Sequence, residues 1–331
     1  MKNFTYYRPT TPEQAVGLLD SQWGTTELLG GGTDLLDLQK EYIAQPDKVI
    51  SLGAVKGLTG IKTEGGRVVI GAGTKLAEIA EHTEIRKAFP ALAEAAGLIG
   101  GPQIRNMGTL GGNLCQRNRC WYFRDEHVHC LLKGGKKCYA TDGDNRYHAV
   151  FTQGHPCVIV NPSTLAPVLI ALGAVAEVLG PKGKRTIELA KFFHAPSKAS
   201  EREHVLAPNE LVLAVSIPSQ GLKNASYEVR HKQSYDWPLV QAAVAFNLDG
   251  GKARDVKVVL GHVAPTPLVA DAAAKGLEGQ TITEGTAVEA GVAAARGAKP
   301  LSHNAYKVKL IEVAVKRALL TAAGQKKYWE V

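Results

Sequence analysis

Glu27-Leu28-Leu29-Gly30-Gly31-Gly32-Thr33-Asp34-Leu35 is the stretch on which the reading of this chain turns. An apolar strand signal, Glu27-Leu28-Leu29, runs directly into three glycines. Consecutive residues without Cβ atoms let backbone N–H groups converge on an anion and adopt φ > 0 at no steric cost. The turn is not the Rossmann fingerprint, because Leu35 stands where G-x-G-x-x-G needs its third glycine. No G-x-x-x-x-G-K-[ST] phosphate loop occurs anywhere in the chain. Alone, the stretch reads equally well as an ordinary tight turn. A second glycine element follows about 75 residues later, Ile104-Arg105-Asn106-Met107-Gly108-Thr109-Leu110-Gly111-Gly112-Asn113. It offers backbone donors, a hydroxyl and an amide together, a set suited to a diphosphate and a ribityl chain. Two such turns suggest one extended, phosphate-bearing ligand gripped from both sides.

Around these turns the pattern is that of a mixed α and β chain. Thr11-Pro12-Glu13 predicts a capped helix through Leu19, with Pro at its first position. Lys48 to Leu52 and Arg67 to Gly73 read as strands, Thr74 as the cap of a helix from Lys75 to Glu81, and Pro90 to Leu98 as a further helix. Glu210 to Pro218 predicts a strand, Asn224 to Leu248 and Lys252 to Gly261 several more, with a turn at Asp249-Gly250-Gly251. A final helix is expected after Leu301-Ser302, with Tyr306, Leu310, Val313 and Leu319 on its apolar side and Lys307, Lys309, Lys316 and Arg317 largely off it. The domain boundary is placed near residue 222. No internal repeat is apparent.

Composition narrows the function classes. The 331 residues, 45% hydrophobic and 21% charged, suffice for two domains with cores of their own. Lys and Arg number 39 against 31 acidic residues, giving +8, a moderate excess that reads as solubility rather than as a nucleic-acid face. The longest apolar stretch, Leu165 to Leu179, carries Pro167 and Glu177 and is shorter than the roughly 20 residues that span a bilayer. The opening MKNFTYYRPT has no apolar signal core, so a cytoplasmic location is expected, or a periplasmic one if a partner subunit carries the export signal. There is no G-x-S-x-G elbow and no H-E-x-x-H helix.

Cysteine is the unusual component. There are five, and Cys115, Cys120, Cys130 and Cys138 lie close together, with Cys157 soon after, in a stretch from Arg105 to Pro156 where regular periodicity fades. Clustered cysteines in a large chain point first to metal or redox chemistry. An inorganic centre could order such a segment where an apolar core cannot. His127 and His129 beside Cys130 would allow a zinc site, although no C-x-x-C pair is present. Iron–sulfur, zinc and metal-free thiols therefore all stand open at this point.

The ordered set Gly30 to Leu35, Ile104 to Asn113 and Asn161-Pro162-Ser163-Thr164-Leu165-Ala166-Pro167 resembles the FAD-binding medium subunit of the molybdenum hydroxylases, the xanthine dehydrogenase, carbon monoxide dehydrogenase and aldehyde oxidoreductase family. Arg230-His231-Lys232-Gln233-Ser234 and the last helix are similar too, so the resemblance covers essentially the whole chain. It implies an α+β protein: a two-lobed FAD-binding fold of the vanillyl-alcohol-oxidase type over residues 1–222 (lobes about 1–57 and 58–222), then a C-terminal flavoprotein domain over 223–331. Leu28, Leu29, Gly30, Gly31, Gly32, Thr33, Asp34 and Leu35 would wrap the pyrophosphate. Thr109, Gly111, Gly112 and Asn113 would hold ribityl and phosphate groups, and Val212 and Lys232 would lie near the isoalloxazine ring. Thr164 departs from the family's usual Asp; it can accept a hydrogen bond but supplies no charge.

The cysteine-rich loop 115–157 is similar to the branch of this family that carries an extra 4Fe–4S cluster, with the aldehyde oxidoreductase pattern the nearer match. That resemblance implies Cys120, Cys130, Cys138 and Cys157 as ligands, with Cys115 the first alternative. The expected role is electron transfer: a large subunit with the molybdenum cofactor, a small subunit with 2Fe–2S clusters, FAD on this chain, and an external acceptor such as NAD, oxygen or ferredoxin. No substrate base is expected here. The readings from other classes are a zinc-stabilised assembly module without redox activity and a stand-alone FAD oxidase.

Overall fold

The computed structural model describes residues 1–325 and Trp329. Residues 326–328, 330 and 331, at the end of the expected 223–331 domain, lie outside the described residues. Among the described residues no helix is long and apolar enough to cross a membrane.

The chain opens on a small parallel sheet of β1 (Thr5–Tyr7), β2 (Thr26–Leu29) and β3 (Lys48–Ser51), in the order β1-β3-β2. Its connections are α1 (Pro12–Gly17) and α2 (Leu35–Lys40). Thr11 caps α1 as its sequence predicts, accepting the Gln14 N–H at 3.2 Å.

An antiparallel sheet follows, built from β4 (Ile61–Glu64), β5 (Arg67–Gly71), β6 (Val175–Gly180), β7 (Gly183–Glu188) and β8 (Leu211–Pro218), in the order β4-β5-β8-β6-β7. About a hundred residues intervene between β5 and β6, and they carry α3 (Leu76–Glu81), α4 (Thr83–Ala88), α5 (Pro90–Leu98), α6 (Pro102–Met107), α7 (Leu110–Cys115), α8 (Trp121–Arg124) and α9 (Leu165–Ala171). Thr74 is not the cap of α3; its hydroxyl instead bonds both N–H and C=O of Gly60, pinning the start of β4. The Gly100-Gly101-Pro102 break ends α5 and at once starts α6, Pro supplying the fixed φ of a first turn.

The third sheet has β9 (Lys223–Val229), β10 (Val240–Asp249), β11 (Lys252–Gly261) and β12 (Leu268–Val269) in the order β12-β11-β10-β9, all antiparallel. Both of its faces are covered, and the period of two shows it. Ala243 and Ala245 of β10 turn into the core beneath α5 and α9. Val240, Ala242, Val244 and Phe246 turn the other way, onto α10 (Asp271–Leu277), α11 (Glu284–Ala295) and α12 (Tyr306–Ala322). In α12 the buried stripe is Ile311, Ala314, Val315, Ala318 and Leu319; of the expected apolar side Leu319 is buried and Leu310 partly so, Tyr306 is exposed, and Lys307 lies fully inside. The pattern misleads in part because Ala314 and Ala318 share the buried face with Ile311, Val315 and Leu319.

The cysteine-rich stretch is irregular but has a core of its own. Leu38 of α2, Phe123, Leu132 and Ile159 bury around Cys130 and Cys157. Its far end is stitched to the third sheet, where the Val150 N–H donates to Val263 O (2.9 Å) and the Lys299 N–H to Val150 O (2.7 Å).

Candidate functional site

The two glycine turns meet. A Cβ on Gly31 would stand 1.8 Å from the Met107 carbonyl oxygen, so only glycine lets the first turn lie against the second. Gly32 turns with φ 78°, and α2 begins three residues on. Among the described residues, the N–H groups of Gly31, Gly32, Thr33 and Asp34 find no acceptor. Successive free N–H groups at such a turn form an anion-binding nest. The second turn is different. Thr109 caps α7 by accepting the Gly112 N–H (3.1 Å), the Gly111 N–H donates to Ala72 O (2.8 Å), and the Asn113 N–H to Thr109 O (2.9 Å). Its backbone donors are spent inside the protein. What it offers is side chains: Asn113 is oriented by Ser163, whose Oγ donates to Asn113 Oδ1 at 2.7 Å, and the amide nitrogen of Asn113 has no acceptor among the described residues.

A cleft of about 260 Å³, partly open to solvent, runs beside these turns. Of the residues expected from the sequence, Thr33, Asp34, Thr109, Gly112, Asn113 and Thr164 line it. Gly30, Gly31, Gly32 and Gly111 build the turns behind the lining, and Leu28, Leu29 and Leu35 belong to the flanking strand and helix. Val212 and Lys232 are not brought to it: Val212 is buried in the core of the antiparallel sheet, and Lys232 is exposed, its N–H held by Asp236 Oδ2 at 3.0 Å. The far wall is made by residues the sequence does not single out. Trp237 lies beneath the Arg119 guanidinium (4.7 Å to the ring centroid), Tyr235 donates to Gln103 Oε1 (3.2 Å), and Glu228 turns inward from β9.

Asp34 is the anchor between this cleft and the cysteine-rich segment. It accepts the Arg117 N–H (2.9 Å) and pairs with Arg119 (3.0 Å) and Arg124 (2.7 Å), the residues that bracket Cys120. Behind them Glu203, 1% exposed, holds Arg117 Nε at 2.7 Å and the Asn118 N–H and Nδ2 at 3.1 and 2.7 Å. Burial opposes its charge, but Arg117 and Asn118 outweigh that and hold its carboxyl below the usual value. Glu228 shows the reverse. Burial pushes its carboxyl up to about 8 despite Arg230, whose Nε lies 3.7 Å away, and Glu94 adds to the rise. Its Oε1 has no partner among the described residues.

Cys120, Cys130, Cys138 and Cys157 line one small cavity, walled by Phe123, Leu132 and Ile159. Cys115 is elsewhere, packed against the main core, where burial pushes its thiol up to about 12. Backbone N–H groups point at the sulfurs: Phe123 and Tyr122 at Cys120, Val158 and Ala140 at Cys138, Ile159 at Cys157. Cys138 and Cys157 are neighbours in this cavity, and their interaction lowers the Cys138 thiol and raises that of Cys157. His127 is fully on the surface, paired with Glu126, and neither His127 nor His129 lines the cavity. Among the described residues, no three His, Cys, Asp or Glu side chains draw together tightly enough to enclose a single ion. A mononuclear tetrahedral thiolate site would need sulfurs about 3.8 Å apart.

Comparison with known proteins gives this geometry its context. The family described as the FAD binding domain in molybdopterin dehydrogenase matches residues 2–220, and the CO dehydrogenase flavoprotein C-terminal domain matches residues 225–322. The chain belongs to the FAD-binding medium subunits of the molybdenum hydroxylases. This flavin subunit is 37% identical over 277 residues to the aldehyde oxidoreductase FAD-binding subunit PaoB of Escherichia coli K12, covering 82% of this chain and 85% of that one. It is 30% identical to the carbon monoxide dehydrogenase medium chain of Hydrogenophaga pseudoflava, over 96% of both. Its fold matches the crystal structure of the Cu,Mo-CO dehydrogenase with a TM-score of 0.78 at 26% identity, over 98% of this chain and 100% of that one. It is thus an oxidoreductase subunit with the expected α+β fold.

The residues present fit FAD. The four free N–H groups at Gly31 to Asp34 match a diphosphate, and the Asn113 amide and the unpartnered Glu228 oxygen face the cleft as polar contacts. Gln116, Tyr235, Trp237 and Glu228 line the cleft but were not legible as site residues in the sequence. Two nearby residues did carry a signal: Ser163 in Asn161-Pro162-Ser163-Thr164, and Arg119 in an Arg-rich run suited to phosphate or a negatively charged cluster.

Proposed function

We propose that this flavin subunit is an electron-transfer subunit with two redox centres of its own, FAD in the cleft and a 4Fe–4S cluster on Cys120, Cys130, Cys138 and Cys157. Substrate oxidation belongs to a large partner with the molybdenum cofactor, and a small 2Fe–2S partner delivers the electrons. This chain passes them to an external acceptor such as NAD, oxygen or ferredoxin, in the cytoplasm, or in the periplasm if a partner carries the export signal. The single observation that carries the reading is the sorting of the five cysteines. Four from a 38-residue stretch share one apolar cavity supplied with N–H donors, and the fifth is packed elsewhere. Such N–H donors are what stabilise thiolate sulfur around iron.

The chain's own residues have these tasks. Gly31 to Asp34 bind the diphosphate through their N–H groups, with Gly31 keeping the second turn close enough to form the opposite wall. Asn113, set by Ser163, and Thr109 hold the ribityl segment. Arg119 and Trp237 stack on one another in the cleft wall. Bound FAD supplies the exchange of electron pairs for single electrons. Arg119 also borders Cys120 in the chain and ties Asp34, so the two centres share one rigid wall.

The test is a reductive titration of the purified protein with its natural partners. Flavin bands and a broad shoulder near about 400 nm should both bleach with dithionite and return with oxidant. A flavin-containing protein without the shoulder, or with zinc in place of iron, would sink the cluster.

A further inference from the structure

Outside the two centres, the densest buried polar assembly joins α12 to residues 145–150. Lys307, 1% exposed, spends all three of its donors on backbone carbonyls: Tyr147 O (3.0 Å), His148 O (3.1 Å) and His262 O (2.9 Å). Asn304, fully buried, donates Nδ2 to His148 O (3.2 Å) and Ala149 O (3.1 Å). The His148 N–H donates to Asn145 O (2.9 Å), and Asn145 in turn accepts the His303 N–H (2.9 Å). Four of these side-chain bonds fall on the carbonyls of Tyr147, His148 and Ala149, two of them on His148 O, in a stretch without regular secondary structure.

What that position carries is the His148 ring. It is 4% exposed and set edge-on to Trp121, with ring centroids 5.6 Å apart. Nε2 stands 3.2 Å from Cys120 Sγ, and Nδ1 has no partner among the described residues. A ring with only a sulfur to bond carries its proton on Nε2, donating to Cys120 when that sulfur is a thiolate ligand. An N–H donor draws charge off a ligand sulfur and stabilises the reduced centre, because hydrogen bonds to sulfur are among the terms that set an iron–sulfur potential.

We propose that His148, held by Lys307 and Asn304 of the C-terminal unit, raises the reduction potential of the cysteine-bound centre through an N–H···S bond to Cys120. This rests on the reading of the cysteine pocket as an iron–sulfur site. His148 is a positioning and tuning residue rather than a ligand, and the C-terminal unit sets the redox level of a centre it does not touch. Such a donor makes the transfer of an electron onto the cluster easier and its release harder, which sets the cluster's order relative to the flavin.

The experiment is redox titration of the iron–sulfur signal, by electron paramagnetic resonance, in the purified complex carrying His148→Phe, His148→Gln or Lys307→Met, with iron content and flavin potential measured alongside. His148→Phe should keep its iron and lower the cluster potential by about 60 mV, a tenfold change in the one-electron equilibrium. Lys307→Met should lower it in the same direction, His148→Gln, which keeps a donor, should restore most of it, and the flavin potential should not move. Should His148→Phe fail to keep iron, iron retained at a near wild-type potential in His148→Gln supports the proposal, and iron lost from both overturns it. An iron-loaded His148→Phe at the wild-type potential overturns the tuning alone. A wild-type complex without iron overturns the reading of the pocket, and this proposal with it.

Discussion

Gly31 is the residue on which the cleft depends most directly, because any side chain there collides with the Met107 carbonyl rather than with a movable group. Gly31→Ala must push the two turns apart. It should cost about 1–3 kcal/mol of stability and release FAD, read as a lower melting temperature and flavin in the filtrate. Gly17, at the end of α1 with open space around it and no left-handed φ, is the control. Gly17→Ala should be neutral or stabilise by about 0.5 kcal/mol. Glu203 sets a pH dependence at the same scale. Its carboxyl is held below the unfolded value of 4.5, so the stability it contributes is present above about pH 4.5 and is lost as pH falls through the lower, folded value. Glu203→Gln should flatten that acid limb. Near pH 7 it should destabilise by about 3 kcal/mol, since Arg117 is left buried without its carboxylate. Acid unfolding followed by circular dichroism in both proteins checks the sign and the size.

At the scale of elements, α12 shows where a periodic pattern misleads. Tyr306, Leu310 and Val313 recur at helical spacing, but the face that meets β9 and β10 is Ile311, Ala314, Val315 and Ala318, because small side chains let helix and sheet approach. Ile311→Ala should therefore cost about 2–5 kcal/mol in denaturant unfolding, and Leu310→Ala distinctly less. Lys307 escapes a sequence reading for the same reason. A lysine on a helix is read as solvated, and only three carbonyls converging from distant segments give its ammonium a place inside. Elements whose signals are local were legible: the Thr11 cap, α5 from Pro90 to Leu98, and the strands either side of Asp249-Gly250-Gly251. Thr74 was not, because its hydroxyl is claimed by Gly60, a partner no short window contains.

For the molecule as a whole, the two glycine turns and the spacing of the cysteines were readable because their chemistry is written in residue type. The opposite wall of the cleft was not. Arg119, Trp237, Tyr235 and Glu228 come from segments that meet only when the third sheet packs on the core under α5 and α9. The same packing leaves Val212 inside the core and Lys232 at the surface, so neither lines the cleft beside the glycine turns. The FAD cleft and the cysteine pocket share the Asp34–Arg119–Arg124 wall, with the C-terminal unit holding the backbone of His148 beside the pocket. Flavin, iron and acid-labile sulfide measured per chain in the wild type and in Cys138→Ser test this most directly. The account predicts one flavin with four irons and four sulfides in the wild type, and flavin retained with iron lost in the variant. Flavin without iron in the wild type, or iron undiminished in Cys138→Ser, would contradict it.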